Sequence, residues 1–293
     1  MARRKKINSF KIFLTVWQLG RQHPIVLLLL VLASGLWYGY ELYIARPGMV
    51  YMGVPKAQNW KQPNTWTRIF RNNGFMVGYS DLRGNPLWVS YKLETIRDNA
   101  PYHKRPQRFS ADWRNLTHIT HDDYRHSGYD RGHMAPNYAI SRLYGEPAQQ
   151  DTFLMTNITP QKPNLNQKLW QRLEEVEIDH FTKQFKTIWV FTGPVFDPNI
   201  ERLKSSYRVE IPDAFYKIYF ALPDKKTLAF IIPQQVRGKE RLDKFLVSVD
   251  KVEKRTGFDF FHELEDTQEE QLESSIKPAP WRLKAVARLP ARY

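Results

Sequence analysis

Asp130-Arg131-Gly132-His133-Met134-Ala135-Pro136-Asn137 is the stretch on which the reading of this chain turns. Its histidine titrates near neutral pH and can take a proton from water. Arg131, two residues earlier, can hold a phosphate through two parallel hydrogen bonds. Gly132 between them lets the backbone turn tightly or approach a substrate closely. A base, an anion-binding guanidinium and a glycine together suit hydrolysis of a phosphodiester, provided something nearby offsets the charge that builds up on the leaving oxygen.

The residues suited to that task lie downstream, in Thr156-Asn157-Ile158-Thr159-Pro160-Gln161, Asn164-Leu165-Asn166-Gln167, Trp170 and Leu173-Glu174. The pattern predicts a loop feeding a helix. Pro160 and Pro163 interrupt regular structure, Asn164 is placed to act as N-cap, and Leu165, Leu169, Leu173 and Val176 recur at helical spacing to give one apolar face. Asn166 then falls in the first turn, where its amide oxygen is a hard ligand of the kind magnesium accepts, with water filling the rest of the octahedron. Glu174 lies about 12 Å further along the axis, better placed to hold a metal-bound water than to share the ion.

With these two constellations in view, the chain resembles the DNA/RNA non-specific endonucleases. The similarity runs from about Tyr51 to Phe261. It includes Gly78-Tyr79-Ser80, Pro86-Leu87-Trp88-Val89, Arg108-Phe109, Asp130 to His133, Asp151-Thr152-Phe153, Thr156 to Glu174, Phe191-Thr192-Gly193-Pro194, Ile211 to Lys217 and Thr256 to Phe261. The resemblance implies a ββα-metal site, in which two strands present the histidine and a helix presents the metal ligand. It implies His133 as general base and Asn166 as the protein ligand of one Mg2+, with Mn2+ as its substitute. By the same resemblance Arg108 and Arg131 bind and stabilise the phosphate, Asn157 positions the histidine, and Glu174 orders metal-bound water. DNA and RNA are the implied substrates, and a homodimer the implied assembly. A non-catalytic nucleic-acid-binding or membrane-associated protein on the same fold is the alternative, since fold alone does not establish activity.

Around this centre the remaining polar residues read more plainly. His118, His121, His103 and His126 fall in a loop-like region without cysteine, so a solvated loop is expected rather than a zinc site. His126 and Tyr129 are candidates for lining a substrate groove, and Trp88, Trp113 and Trp170 are read as core.

The chain carries 44 Lys and Arg against 30 Asp and Glu, a formal charge of +14, which favours a polyanionic partner without naming it. Part of the excess sits at the ends. Arg3, Arg4, Lys5, Lys6, Lys11 and Arg21 precede an uncharged segment from Pro24 to Tyr40, and Lys277, Arg282, Lys284, Arg288 and Arg292 crowd the last residues. As a helix, 24–40 spans about 25 Å, enough to cross a bilayer with Trp37, Tyr38 and Tyr40 at an interface. The basic flank puts the N-terminus in the cytoplasm and the remainder outside, in a bacterial periplasm or, alternatively, across a mitochondrial inner membrane. A cleaved signal peptide ending near Ala33-Ser34-Gly35 is the competing reading.

The expected organisation is therefore a basic cytoplasmic segment (1–23), a transmembrane anchor (24–40), a linker (41–50), a nuclease domain (51–262) and an acidic then basic tail (263–293). An exposed helix and a flexible end are expected for the tail. Hairpin signals at Phe75 to Tyr79 and Leu87 to Leu93, with β-rich runs at Thr187 to Thr192, Ala214 to Ala221 and Thr227 to Ile232, alternate irregularly with helical stretches. The fold class is α+β, a mixed sheet with helices. With no cysteine in the chain, no disulfide supports it.

Overall fold

The computed structural model of this protein describes residues 18, 21–222 and 225–290. The basic residues before the apolar segment, Arg21 excepted, and Arg292 fall outside them. The chain divides into two compact units, Met1–Gly48 and Met49–Tyr293.

In the first unit the apolar segment is helical over Pro24–Tyr40, with Pro24 in the opening turn, where a missing N–H costs nothing. It continues as a π-helical turn over Glu41–Ala45. The run Pro24–Ala45, 22 residues, is long and apolar enough to cross a membrane by length and composition. No residue of its α-helical part is buried.

The second unit is built on a seven-stranded sheet. From edge to edge its strands are Leu246–Val247, Lys226–Pro233, Ala214–Ala221, Thr187–Val195, Asn85–Glu94, Phe75–Ser80 and Arg68–Arg71. Every neighbouring pair is antiparallel, so the sheet is not mixed as the sequence suggested. Irregular helical insertions between strands look the same in sequence whichever way the strands run.

Side chains alternate across the sheet at period two. Phe75, Val77 and Tyr79, with Phe215 and Tyr219, enter one apolar cluster together with Leu165, Leu169, Leu173 and Val176. Met76, Tyr216, Ile218 and Phe220 enter a second, with Val249 and Val252. Both faces are thus covered, which is why Ala214–Ala221 is buried at every position. Trp88 and Trp170 lie in these cores, whereas Trp113 is 85% exposed and no part of either.

The end of the chain also departs from expectation. Asp266–Glu273 is a largely exposed helix, but the described residues beyond it form no loose tail. Trp281, Leu283, Val286 and Ala287 join the first apolar cluster, and the Trp281 ring packs 4.9 Å from Phe181 and 4.6 Å from Phe185. One tryptophan burying its large apolar area outweighs the charged residues around it.

Candidate active site

Asp130–His133 pairs antiparallel with Ile158–Gln161, His133 opposite Ile158 and Gly132 opposite Thr159. The ribbon leads into a continuous helix over 163–185, which alternates α turns with π-helical turns at Leu165–Trp170 and Glu177–Phe181. Pro163 and Asn164 are already helical, and Asn164 makes no capping bond. Instead its Oδ1 accepts from Lys168 Nζ at 2.8 Å. The expected N-cap is therefore displaced, because proline is well suited to the first helical position and starts the helix early. The apolar face falls where the spacing predicts: Leu165, Leu169, Leu173 and Val176 are all buried.

A cleft of about 670 Å³ opens between ribbon and helix, and it brings together His133, Arg131, Asn166 and Glu174. His133 is held from both sides. Its ring packs against Phe109 at 5.3 Å and Phe153 at 5.0 Å, and its buried Nε2 has no hydrogen-bond partner among the described residues. Burial, and then the nearby Arg105 charge, lower its pKa from 6.5 to about 3, so the imidazole is neutral and its unpartnered Nε2 carries no charge into the cleft. Asn157, fully buried, fixes the backbone just beyond it. Its Oδ1 accepts from Ala135 N at 2.9 Å, and its Nδ2 donates to the carbonyls of Ala135 at 3.1 Å and Thr152 at 3.0 Å. Gly132 has a steric reason to be glycine: a Cβ there would lie 2.1 Å from Gln161 Oε1.

Asp130, at the start of the histidine strand, couples strand to helix. Its Oδ2 accepts from Asn166 Nδ2 at 3.0 Å and from Gln167 Nε2 at 2.8 Å. With its NH2 committed to Asp130, the Asn166 amide keeps its oxygen as the group left to offer a cation. Glu174 sits deeper, and burial raises its pKa to about 8 against the opposing pull of Lys217. Beneath it lies a buried ion pair, Lys217 Nζ to Glu177 Oε2 at 3.0 Å, both side chains fully enclosed. Glu177 also accepts from Tyr219 Oη at 2.9 Å and Tyr91 Oη at 3.2 Å.

The arginines divide. Arg131 lines the cleft while its Nη2 and Nε donate to the His121 carbonyl at 2.7 and 3.2 Å, which fixes the guanidinium plane. Arg108 is exposed beside Asp122 at 3.9 Å and is not among the residues lining the cleft. Arg105 does line it, 5.2 Å above the Phe153 ring that itself packs on His133. Arg105 carried no signal in the sequence, and Asp130 and Lys217, although they lie in the quoted motifs, carried none for these roles. Neither His126 nor Tyr129 lines this cleft. His103 does, and His118 and His126 occupy left-handed loop positions.

An α+β chain with a neutral histidine, an oriented amide, two arginines and a deep carboxylate around one open cleft is equipped for acid–base chemistry on an anionic substrate. Residues 59–267 match the pattern of the DNA/RNA non-specific endonucleases, and the chain belongs to that family.

Among its relatives, Nuclease C1 of Cunninghamella echinulata var. echinulata is 35% identical over 220 residues, covering 69% of this chain and 86% of that protein. Mitochondrial endonuclease G of Homo sapiens is 30% identical over 203 residues, covering 64% and 67%. Mitochondrial nuclease EXOG of Danio rerio is 30% identical over 219 residues. There the match covers 69% of this chain but 62% of that protein, so less than two thirds of its length is represented. A chain in the crystal structure of the EndoG/EndoGI complex, solved for the mechanism of EndoG inhibition, shares the fold. Its TM-score is 0.60 and its identity 23%, over 76% of this chain and 93% of that one.

Proposed function

We propose that this protein is a metal-dependent endonuclease that hydrolyses phosphodiester bonds of DNA and RNA. The observation that carries the reading is the neutral, unpartnered His133 Nε2 in the same cleft as Asn166 and Glu174, in a chain of this family. His133 takes a proton from the attacking water. Arg131 and Arg105 bind the phosphate backbone without reading base edges, which accounts for low sequence preference. Asn157 positions His133 through the backbone at Ala135.

The residues present fit one hard divalent cation, Mg2+ with Mn2+ as substitute. The Asn166 amide oxygen is oriented by Asp130, and Glu174 would hold water bound to the ion. Such an ion supplies charge stabilisation of the leaving 3′ oxygen. Residues 24–40 anchor the chain in a bilayer, with the basic N-terminus cytoplasmic and the nuclease unit on the far side.

The test is digestion of duplex DNA, single-stranded DNA and RNA with Mg2+ or Mn2+, beside His133→Ala and Asn166→Ala. Loss of about 10²- to 10⁴-fold in rate is expected for His133→Ala. Equal activity in that variant would reject the assigned base, and absence of cleavage by the intact protein on every substrate would reject the enzyme.

A further inference from the structure

A second group of oxygen ligands lies on the far side of the sheet from the site helix. The helix Val249–Thr256 places Asp250 and Glu253 three residues apart, on one face, and the helix Asp266–Glu273 ends with Glu273 turned toward them. One carboxylate oxygen from each of the three lies within 4.8 Å of the others. Oxygens this close can share one ion at calcium's usual distance of about 2.3–2.6 Å.

Acidic residues often cluster on surfaces for no reason beyond solubility, but Glu273 is not on the surface. It is 5% exposed, and its buried Oε1 has no hydrogen-bond partner among the described residues. The strongest charges acting on it are those of Glu253, Glu269, Asp250 and Asp259, all of its own sign. Glu253 commits one oxygen to the Phe260 N–H at 2.6 Å. A buried carboxylate among carboxylates is costly unless something neutralises it. Asp250 is exposed, which leaves the group open to solvent on one side and gives an ion a way in.

We propose that Asp250, Glu253 and Glu273 form a structural site for a hard divalent cation, calcium by preference, that ties the helix Asp266–Glu273 to the nuclease unit. Calcium suits the set because it accepts irregular carboxylate geometry and lets water complete its shell, where magnesium demands a near-ideal octahedron. Glu273 lies beyond the family match, which ends at residue 267, so the chain's own C-terminal extension supplies the third ligand to a pair, Asp250 and Glu253, that lies within the match. The ion would hold that extension at the point where Thr227 Oγ1 also donates to the Leu272 carbonyl at 2.7 Å, just ahead of the segment that buries Trp281.

The experiment is thermal unfolding of the full chain in detergent, stripped with EDTA and titrated with CaCl2. The Asn166→Ala protein is run alongside, so that binding at the catalytic cleft is separated from binding here. Calcium at about a hundredfold over its Kd is expected to raise Tm by roughly 5 °C or more in both proteins. Asp250→Asn and Glu273→Gln are each expected to lose most of that rise. Asp250 is exposed, so its substitution keeps the test sound even if Glu273→Gln folds poorly. No calcium-dependent rise up to about 10 mM, roughly tenfold above the weak end of protein calcium sites, would overturn the proposal. So would a rise that survives in both carboxylate variants, or one that disappears in Asn166→Ala.

Discussion

Arg105 and Arg108 stand three positions apart in a stretch with no regular secondary structure, both exposed, and they differ in what lies beside them. Arg108 is solvated beside Asp122, whereas Arg105 lies over Phe153 in the cleft with His133. A charge-assisted hydrogen bond to phosphate contributes about 1.5–3 kcal/mol, so Arg105→Ala should lower kcat/KM by about tenfold to a hundredfold. Arg108→Ala should change it by less than about threefold, as expected for an exposed charge. Both are read from initial rates on a labelled duplex, and the reverse order would return the phosphate contact to Arg108. That His133, Arg131, Asn166 and Glu174 line one cleft was legible in the sequence because regular elements carry them, and strand or helix spacing fixes where such side chains point. A loop imposes no such period, so spacing does not separate the two arginines of Lys104-Arg105-Pro106-Gln107-Arg108, and only the resemblance singled out Arg108. Gly132 gives a second test at this scale. Gly132→Ala drives a Cβ into the buried Gln161 side chain and should cost about 1–3 kcal/mol by denaturant unfolding.

The site helix holds the cleft in place through what lies under it. Its apolar face was readable from Leu165, Leu169, Leu173 and Val176, but its π turns were not, since one extra residue per turn leaves no mark in composition. Lys217 was hidden for a different reason. It sits in a strand between Tyr216 and Ile218, where a lysine at alternate spacing reads as outward-facing, yet it meets Glu177 across the interface of sheet and helix. Removing one partner of an enclosed pair leaves an uncompensated charge, so Lys217→Met should cost about 3–5 kcal/mol, and adding Glu177→Gln should recover much of it. A double-mutant cycle from urea unfolding measures this, and additive losses would mean that the pair is not coupled.

The same helix sets a pH dependence. With Glu174 raised from 4.5 to about 8 by burial, the folded protein keeps a proton between those values that the unfolded chain has released. Stability is therefore lost as pH rises through that window. In EDTA, Glu174→Gln should match the parent Tm near pH 5 and exceed it by a few degrees near pH 8.5. His133 acts in the opposite sense, since its pKa is lowered to about 3 and stability falls as pH drops below 6.5. A parent Tm that does not decline between pH 5 and 8.5 relative to Glu174→Gln would mean that Glu174 is better solvated than this geometry implies.

At the scale of the whole chain, the family match covers 59–267 and leaves both ends to their own physics. At the C-terminal end charge misled, because an acidic stretch followed by a basic one suggests a solvated tail, while Trp281, with Leu283, Val286 and Ala287, secures the segment to the core. At the N-terminal end the apolar pattern speaks more directly. A core helix of a soluble protein buries at least one face, but Pro24–Tyr40 buries none of its residues and exposes Ile25 to Leu32 in an unbroken row. Each such side chain gains about 1.5–3 kcal/mol on leaving water, so together they would hold a bilayer far more firmly than the basic flank could alone. The full chain should therefore sediment with membranes, resist release by high salt or alkaline carbonate, and be extracted by detergent, whereas a chain beginning at Met49 should stay in the supernatant. Attachment by charge alone would be released by salt. The basic residues from Arg3 to Arg21 further predict that protease added to the non-cytoplasmic face digests the nuclease unit and spares the N-terminus. Finding the mature N-terminus beyond Ser34 would identify the helix as a cleaved signal and leave the nuclease free of the membrane.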